Sequence, residues 1–150
     1  MAARSGVIIE AWSAGSPTPK GRCVVVSTMG ILADIYALGR MAYIGGGFRR
    51  GGLHAVAEPA AFSVPVIVGP HYESSSDAAL LVQVGGGQAL RSKEPEDSMI
   101  QLWLSWLEQD EERNAAGLRA RATLQQGAAD VTAKRLVGLL RDSLHETPSP

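Results

Sequence analysis

Short runs of β-branched and small apolar residues alternate with helical patterns up to Leu90, and this alternation constrains the fold more than any other feature. We assign strands to Val7–Ile9, Cys23–Val26, Met41–Ile44, Val64–Val68 and Gly85–Leu90. Strands that are separated by helices pair in parallel through right-handed crossovers. The sequence therefore predicts an α/β protein with a three-layer, Rossmann-like parallel sheet.

Helical spacing marks the segments between these strands. Ile31, Ile35 and Leu38 repeat at this spacing, and Gly39 is a plausible C-cap for that helix. Two further helices are predicted at His54–Phe62 and Asp77–Val84. Pro59 lies inside the first of these, so it must either stand in the first turn or kink the helix.

Beyond Pro95 the sequence is helical only, with a helical part over residues 95–144. One face of its first helix is apolar, at Met99, Leu102, Trp103, Trp106 and Leu107. We expect this tryptophan face to be core or interface and not a base-stacking platform. The polar run EQDEERN carries a break or turn, and a last helix is predicted at about Ala128–Leu144.

Composition places the 150 residues in a single globular domain covering 1–150, with 45% hydrophobic and 19% charged residues. The net charge of −1 argues against nucleic-acid binding through general electrostatics. The single cysteine, Cys23, is expected to be buried in its strand and to indicate a reducing compartment. With no signal peptide and no apolar stretch of membrane-spanning length, a cytoplasmic location is predicted.

The glycine-rich stretch Tyr43–His71 is the best candidate for a binding site. In a parallel sheet, ligands collect at the carboxyl ends of the strands. Three loops, Ser27–Gly30, Gly45–His54 and Gly69–Ser76, should share that edge. Helix N-termini beside glycine loops favour anions, so a nucleotide phosphate is the expected ligand.

Five side chains in this stretch could contact such a ligand. Glu58 offers only hydrogen-bond acceptors and could bind both ribose hydroxyls, with His54 on the same helix face; the alternative is a solvated pair. Arg49 and Arg50 could clamp a phosphate or form an exposed basic loop tip. His71 could donate to a phosphate or cap the following helix, whereas Ser74–Ser76 are expected to provide that cap.

The ordered segments STMG, YALGRMAYIGGGF, HAVAEPA, PVIVGPH and GGGQAL resemble a known family over residues 24–90. They are similar in order and spacing to the C-terminal half of bacterial 3-deoxy-D-manno-octulosonic acid (Kdo) transferases, which act in lipopolysaccharide assembly. The resemblance implies a GT-B glycosyltransferase, in which two Rossmann-like domains face each other across a cleft. It also implies a CMP-Kdo donor and a lipid A precursor as acceptor.

The resemblance assigns donor-binding roles residue by residue. It implies that the phosphate end is lined by Thr28, Met29 and Gly30, and that Gly46 and Gly47 let the backbone approach the donor. By the same resemblance, His54 and Glu58 match the family's histidine and ribose-binding glutamate. The resemblance also implies that Gly69, Pro70 and His71 close the pocket, and Arg49 is added as a donor contact from its own chemistry.

Three polar positions of the family are changed in this chain. Ser27 stands for an aspartate, Ile31 for a glutamate and Ala55 for an asparagine, so the donor remains an open question. The resemblance implies that no catalytic residue lies in this chain, because the family's carboxylate base and its contact with the inner membrane belong to an N-terminal domain. No metal site or cofactor is expected. The resemblance also implies a truncated donor domain without its first strands, so we expect self-association through an uncovered sheet edge.

Two alternatives remain at this stage. The chain could be a non-catalytic nucleotide-binding remnant or module, which the three polar changes favour. It could also belong to another GT-B enzyme that uses a UDP-sugar.

Overall fold

A computed structural model describes residues 9–49, 53–91 and 94–125. These residues form two compact units, one within Met1–Ile35 and one within Tyr36–Pro150. Arg50, the first part of the strand predicted at Val7–Ile9 and the helix predicted at 128–144 lie outside the described residues. The expectation of a single domain over 1–150 stays a prediction.

The first unit contains a two-stranded parallel sheet formed by β1 (Ile9–Trp12) and β2 (Cys23–Val26). Glu10 shapes the segment that returns to β2, because its carboxylate accepts the backbone N–H groups of Lys20 (2.9 Å) and Gly21 (2.8 Å). At the far end of the pair, the Ser27 backbone N–H donates to the Trp12 carbonyl oxygen (3.1 Å). Helix α1 (Leu32–Leu38) begins in this unit and ends in the next.

Cys23 is exposed, so the expectation that it is buried is wrong. None of the described residues from 9 to 35 is fully buried. The reason is that a sheet of two short strands cannot cover its own faces. Apolar side chains of β2 such as Val25, which is 52% exposed, therefore remain in contact with solvent.

The second unit is built on a three-stranded parallel sheet in the order β3 (Ala42–Ile44), β4 (Val66–Val68), β5 (Gly87–Ala89). Its helices include α2 (Ala57–Ala61) and α3 (Ser76–Gln83). The central strand β4 has neighbours on both sides and is buried at every residue, which is typical of an inner strand in a parallel sheet. The α/β class and the parallel pairing predicted from the sequence are thus confirmed.

Helix α2 is shorter than the helix predicted at His54–Phe62. It begins at Ala57, and its third residue is Pro59. Proline has no N–H group and is tolerated only in the first turn, so the helix cannot begin three residues earlier. His54 therefore precedes the helix, and the prediction that it shares a helix face with Glu58 is wrong.

Side chains from β4 enter two separate cores on opposite faces of the sheet. Val66 and Val68 pack with residues of the α2 and α3 regions, including Val56, Ala60, Ala78 and Leu81. Ile67 packs with Leu90, Trp106 and Ala116. Alternate residues of a strand point to opposite faces, so this unit has helices on both sides of its sheet.

The C-terminal helices follow the predicted pattern. Helix α4 spans Pro95–Glu108, Gln109 is not helical, and residues 110–125 are helical again. This confirms a break within the EQDEERN run. Arg113 is buried at this break and donates to the Trp106 carbonyl oxygen (2.6 Å) and to Asp110 (2.5 Å). The hydrogen bond and charge of Arg113 hold the pKa of Asp110 below its ordinary value. Trp106 is buried whereas Trp103 is 37% exposed, so only part of the tryptophan face is core.

Among the helices of the described ranges, none combines the length and the apolar character that crossing a membrane requires.

Candidate functional site

Two loops leave the carboxyl ends of neighbouring strands in the second unit and contact each other. We call this contact, between Gly47 and Gly69, the loop crossing. The first runs from Gly45 to Arg49 after β3, and the second from Gly69 to Ser75 after β4. Their backbones touch where Gly47 meets Gly69, since a Cβ atom on Gly47 would lie only 2.7 Å from the Gly69 nitrogen. The His71 N–H also donates to the Gly47 carbonyl oxygen (2.9 Å). The prediction that three loops share one edge of a sheet is right for these two. It is wrong for Ser27–Gly30, because that segment follows β2, which belongs to the separate two-stranded sheet.

A third segment, which contains His54, contacts the first of these loops. The His54 backbone N–H donates to the Gly45 carbonyl oxygen (3.3 Å). A Cβ atom on Gly45 would lie 4.0 Å from His54 Cδ2, so the imidazole ring lies beside the start of the glycine loop. His54 is exposed, and the loop before α2 is thus held against the loop after β3.

Glu58 stands in the first turn of α2 and is exposed. A carboxylate in the first turn of a helix is favourably placed with respect to the helix dipole. Its negative charge also acts on Tyr36: burial, and then the charge of Glu58, raises the pKa of the Tyr36 phenol above the ordinary 10.0. Glu58 is therefore near Tyr36 as well as being accessible to a ligand.

Tyr36 was not among the residues that the sequence indicated for the site. It is half-buried and packs against the core that contains Val66 and Val68. Its position beside Ile35 in a helical pattern predicted only a packing role. No local motif links Tyr36 to Glu58, since they are distant in sequence.

The predicted loop residues differ in how they are held. Arg49 and His71 are exposed and Pro70 is half-buried. The Ser75 hydroxyl accepts the Ala78 backbone N–H (3.3 Å) and caps α3, so the prediction of a serine cap is confirmed. This leaves the His71 side chain free of the capping role that was its alternative.

Thr28, Met29 and Gly30 belong to the first unit and are described there by themselves. The Thr28 hydroxyl accepts the Ala14 backbone N–H (2.8 Å). Met29 is 94% exposed, and Gly30 has a φ of +85°, which other residues rarely adopt. In the second unit, backbone contacts bring together Gly47, Gly69, His71 and the segment of His54. Gly46, Arg49 and Pro70 lie in the same loops, and Glu58 follows His54 by four residues in the first turn of α2.

The side chains of this group carry hydrogen-bond donors and acceptors of the kinds that a nucleotide requires. Arg49 can donate to phosphate oxygens, and each neutral imidazole has one donor and one acceptor nitrogen. Glu58 can accept from hydroxyl groups. Within residues 9–49, 53–91 and 94–125, no three His, Cys, Asp or Glu side chains are grouped as metal ligands would be.

Sequence comparisons relate the chain to one group of curated proteins, although no family model matches it. It is 39% identical over 87 residues to the 3-deoxy-D-manno-octulosonic acid transferase of Chlamydia pneumoniae, covering 56% of this chain and 20% of that protein. Identity is 30% over 129 residues with the Chlamydia muridarum enzyme, covering 81% and 28%. With the Bordetella pertussis enzyme it is 34% over 109 residues, covering 72% and 25%.

A solved structure shares the fold. It is the crystal structure of the C-terminal CMP-Kdo binding domain of WaaA from Acinetobacter baumannii, with a TM-score of 0.64 and 21% identity, covering 77% of this chain and 61% of that one. The chain spans 20% to 28% of the length of the three curated relatives above. The chain is thus similar in sequence to 3-deoxy-D-manno-octulosonic acid transferases, and it shares the α/β fold of the solved C-terminal domain of WaaA.

Proposed function

We propose that this chain supplies the donor-nucleotide-binding half of a glycosyltransferase that moves Kdo from CMP-Kdo to a lipid A precursor. The observation that supports the proposal is the contact between the loops after β3 and β4, which carry Arg49 and His71, together with the backbone hydrogen bond from His54 to the first of these loops. The relatives named above support the choice of donor, because they are Kdo transferases.

We assign the side chains of this site to two parts of the nucleotide, the ribose and the phosphate. Glu58 would accept hydrogen bonds from the ribose hydroxyls, since an ionised carboxylate has acceptors only. Arg49, His54 and His71 would donate to the phosphate. All four side chains are exposed, so a ligand can reach them without displacing the core.

The transfer step requires groups that these residues do not provide. The acceptor hydroxyl oxygen would bond to the anomeric carbon while the bond from that carbon to the phosphate oxygen breaks, and CMP would leave with the electron pair. A base must take the hydroxyl proton. In the proposal this base and the acceptor site come from a facing domain that is not part of these 150 residues, and such a partner could bring the protein to the inner membrane.

A second candidate is a nucleotide-binding module without catalytic activity. The family's asparagine beside His54 is replaced by Ala55, which is exposed and offers no side-chain hydrogen bond. Ser27, in place of an aspartate, donates its hydroxyl to the Trp12 carbonyl oxygen (3.5 Å). A third candidate, a UDP-sugar enzyme, is favoured by no contact in the described residues, and the experiment below tests it directly.

Calorimetric titration with CMP, CMP-Kdo, UDP and GDP tests the proposal. We expect CMP and CMP-Kdo to bind and the other two nucleotides to bind at least about tenfold more weakly, a difference of about 1.4 kcal/mol. A folded protein that binds neither CMP nor CMP-Kdo would refute the binding role. Preference for UDP would instead favour the UDP-sugar enzyme.

A matched pair of variants tests the role of Glu58. Glu58→Gln should weaken CMP binding about tenfold or more, because hydrogen bonds to charged groups are worth about 1.5–3 kcal/mol. Glu111→Gln, a change to another exposed carboxylate in the C-terminal helical part, should leave the affinity unchanged. Adding the N-terminal domain of a Kdo transferase then separates the first two candidates, since only the enzyme half would restore transfer.

A further inference from the structure

We propose that Gly47 and Gly69 are positioning residues. The backbone contact between their loops fixes the position of His54 relative to His71. This differs from the role that the family resemblance implies, in which Gly47 lets the backbone approach the donor. It rests on the proposed function only for its consequence for nucleotide binding. The contact itself is a property of the ligand-free protein.

The two glycines are required by space and not by backbone conformation. A Cβ atom on Gly47 would lie 2.7 Å from the nitrogen and 2.8 Å from the Cα of Gly69, and a Cβ atom on Gly69 would lie 2.8 Å from the Cα of Gly47. Both residues are buried, and neither has a φ in the positive range that favours glycine. Any side chain at either position must therefore push one loop away from the other.

Their neighbours in the glycine loop have different roles. Gly46 has a φ of +94°, so it is needed for the turn. Gly45 has room for a Cβ atom, whose nearest neighbour would be the His54 ring at 4.0 Å. Gly47, unlike Gly45, makes a steric contact with the second loop, and this provides a matched control within one loop.

The same glycine loop accepts a backbone hydrogen bond from each histidine. The His54 N–H donates to Gly45 (3.3 Å) and the His71 N–H donates to Gly47 (2.9 Å). The glycine loop thus lies between the two segments that carry the histidines. A displacement at the Gly47–Gly69 contact must change the position of one imidazole relative to the other.

Histidine NMR signals of the ligand-free protein test the proposal. The sequence contains three histidines, and single His→Gln variants assign their ring signals. Gly47→Ala and Gly69→Ala should shift the His71 ring signal and increase the hydrogen exchange rate of the His71 amide. Gly45→Ala should leave both His71 observables as in the wild type. Unchanged His71 signals and exchange in Gly47→Ala and Gly69→Ala would overturn the proposal.

Two further measurements cover the remaining outcomes. If the protein binds CMP, Gly69→Ala should weaken that binding by about tenfold, near the upper limit for loss of one hydrogen bond. Where both alanine variants fail to fold, hydrogen exchange of the wild type decides: the His71 amide should be protected although its side chain is exposed, and rapid exchange would refute the contact. Wild-type protein that binds no CMP refutes the proposed function but leaves the histidine test intact.

Discussion

Individual residues at the loop crossing are held mainly by backbone groups, which leaves their side chains accessible. His54 and His71 both donate through their backbone N–H groups, and both side chains are exposed. Glu58 is exposed in the first turn of α2 and interacts electrostatically with Tyr36. A site of this kind has its geometry set before a ligand arrives, which reduces the cost of ordering it on binding.

Tyr36 gives a prediction about stability at high pH. Its pKa is raised by burial and then by Glu58, so the unfolded chain loses the phenol proton at a lower pH than the folded protein. The contribution of Tyr36 to the free energy of unfolding is therefore fully present below the pKa of its phenol in the unfolded chain. It is lost as the pH rises through the pKa of the phenol in the folded protein. Above pH 10.0, the ordinary tyrosine value, the free energy of unfolding should fall less steeply with pH in Tyr36→Phe than in the wild type. Urea unfolding at several pH values measures this difference.

A second variant separates the two causes. Glu58→Gln should also make the loss shallower but by less than Tyr36→Phe, because burial is the larger cause. Identical pH dependence in Tyr36→Phe and the wild type would contradict the placement of Tyr36 against the core and near Glu58.

At the level of elements, helix α3 is fixed at each of its two ends. Ser75 caps its N-terminus. At the other end Gly85 has a φ of +70°, and the Gly86 N–H donates to the Leu81 carbonyl oxygen (2.8 Å). The Arg119 guanidinium donates to the Gly85 carbonyl oxygen (3.1 and 3.0 Å). The helix that follows the second loop is thus held at both ends.

The N-cap of α3 provides a prediction for that element. Ser75→Ala removes the acceptor for the Ala78 N–H and should lower the free energy of unfolding by about 1 kcal/mol, the usual effect of losing a cap. Ser74→Ala, one residue earlier and exposed, should change it by less than about 0.5 kcal/mol. Urea denaturation of both variants measures the difference. Equal effects would show that Ser75 is not the cap.

Sequence patterns predicted the elements better than their burial and contacts. The β2 boundaries, Cys23–Val26, and a strand within Val64–Val68 were predicted correctly because β-branched runs report local strand preference. The exposure of Cys23 was not, since burial depends on how many strands and helices cover a sheet. The Gly47–Gly69 contact was also missed, because packing between distant loops leaves no periodic signal.

On the scale of the whole molecule, the two units differ in how well their apolar surface is covered. The second has two cores, whereas the described residues of the first expose apolar side chains such as Ile9, Val25 and Leu32. Exposed strand edges and apolar faces promote association. The sequence-based expectation of self-association through this sheet stays a prediction.

Sedimentation velocity tests that prediction. The wild type should sediment as a mixture whose average mass rises with protein concentration. Val25→Lys places a charge on β2 and should reduce the association, while Lys20→Ala, in the loop before that strand, should not. A wild type that remains monomeric over a hundredfold range of concentration would contradict the expectation.

The most direct test of the central claim is a CMP titration followed through the ring signals of His54 and His71. If the loop crossing binds the donor nucleotide, both signals should shift together and saturate, with one dissociation constant that agrees with calorimetry. The Glu58→Gln variant should need about tenfold more CMP. Signals that do not move in a folded protein, or that shift equally with CMP and inorganic phosphate, would contradict a nucleotide site at this crossing.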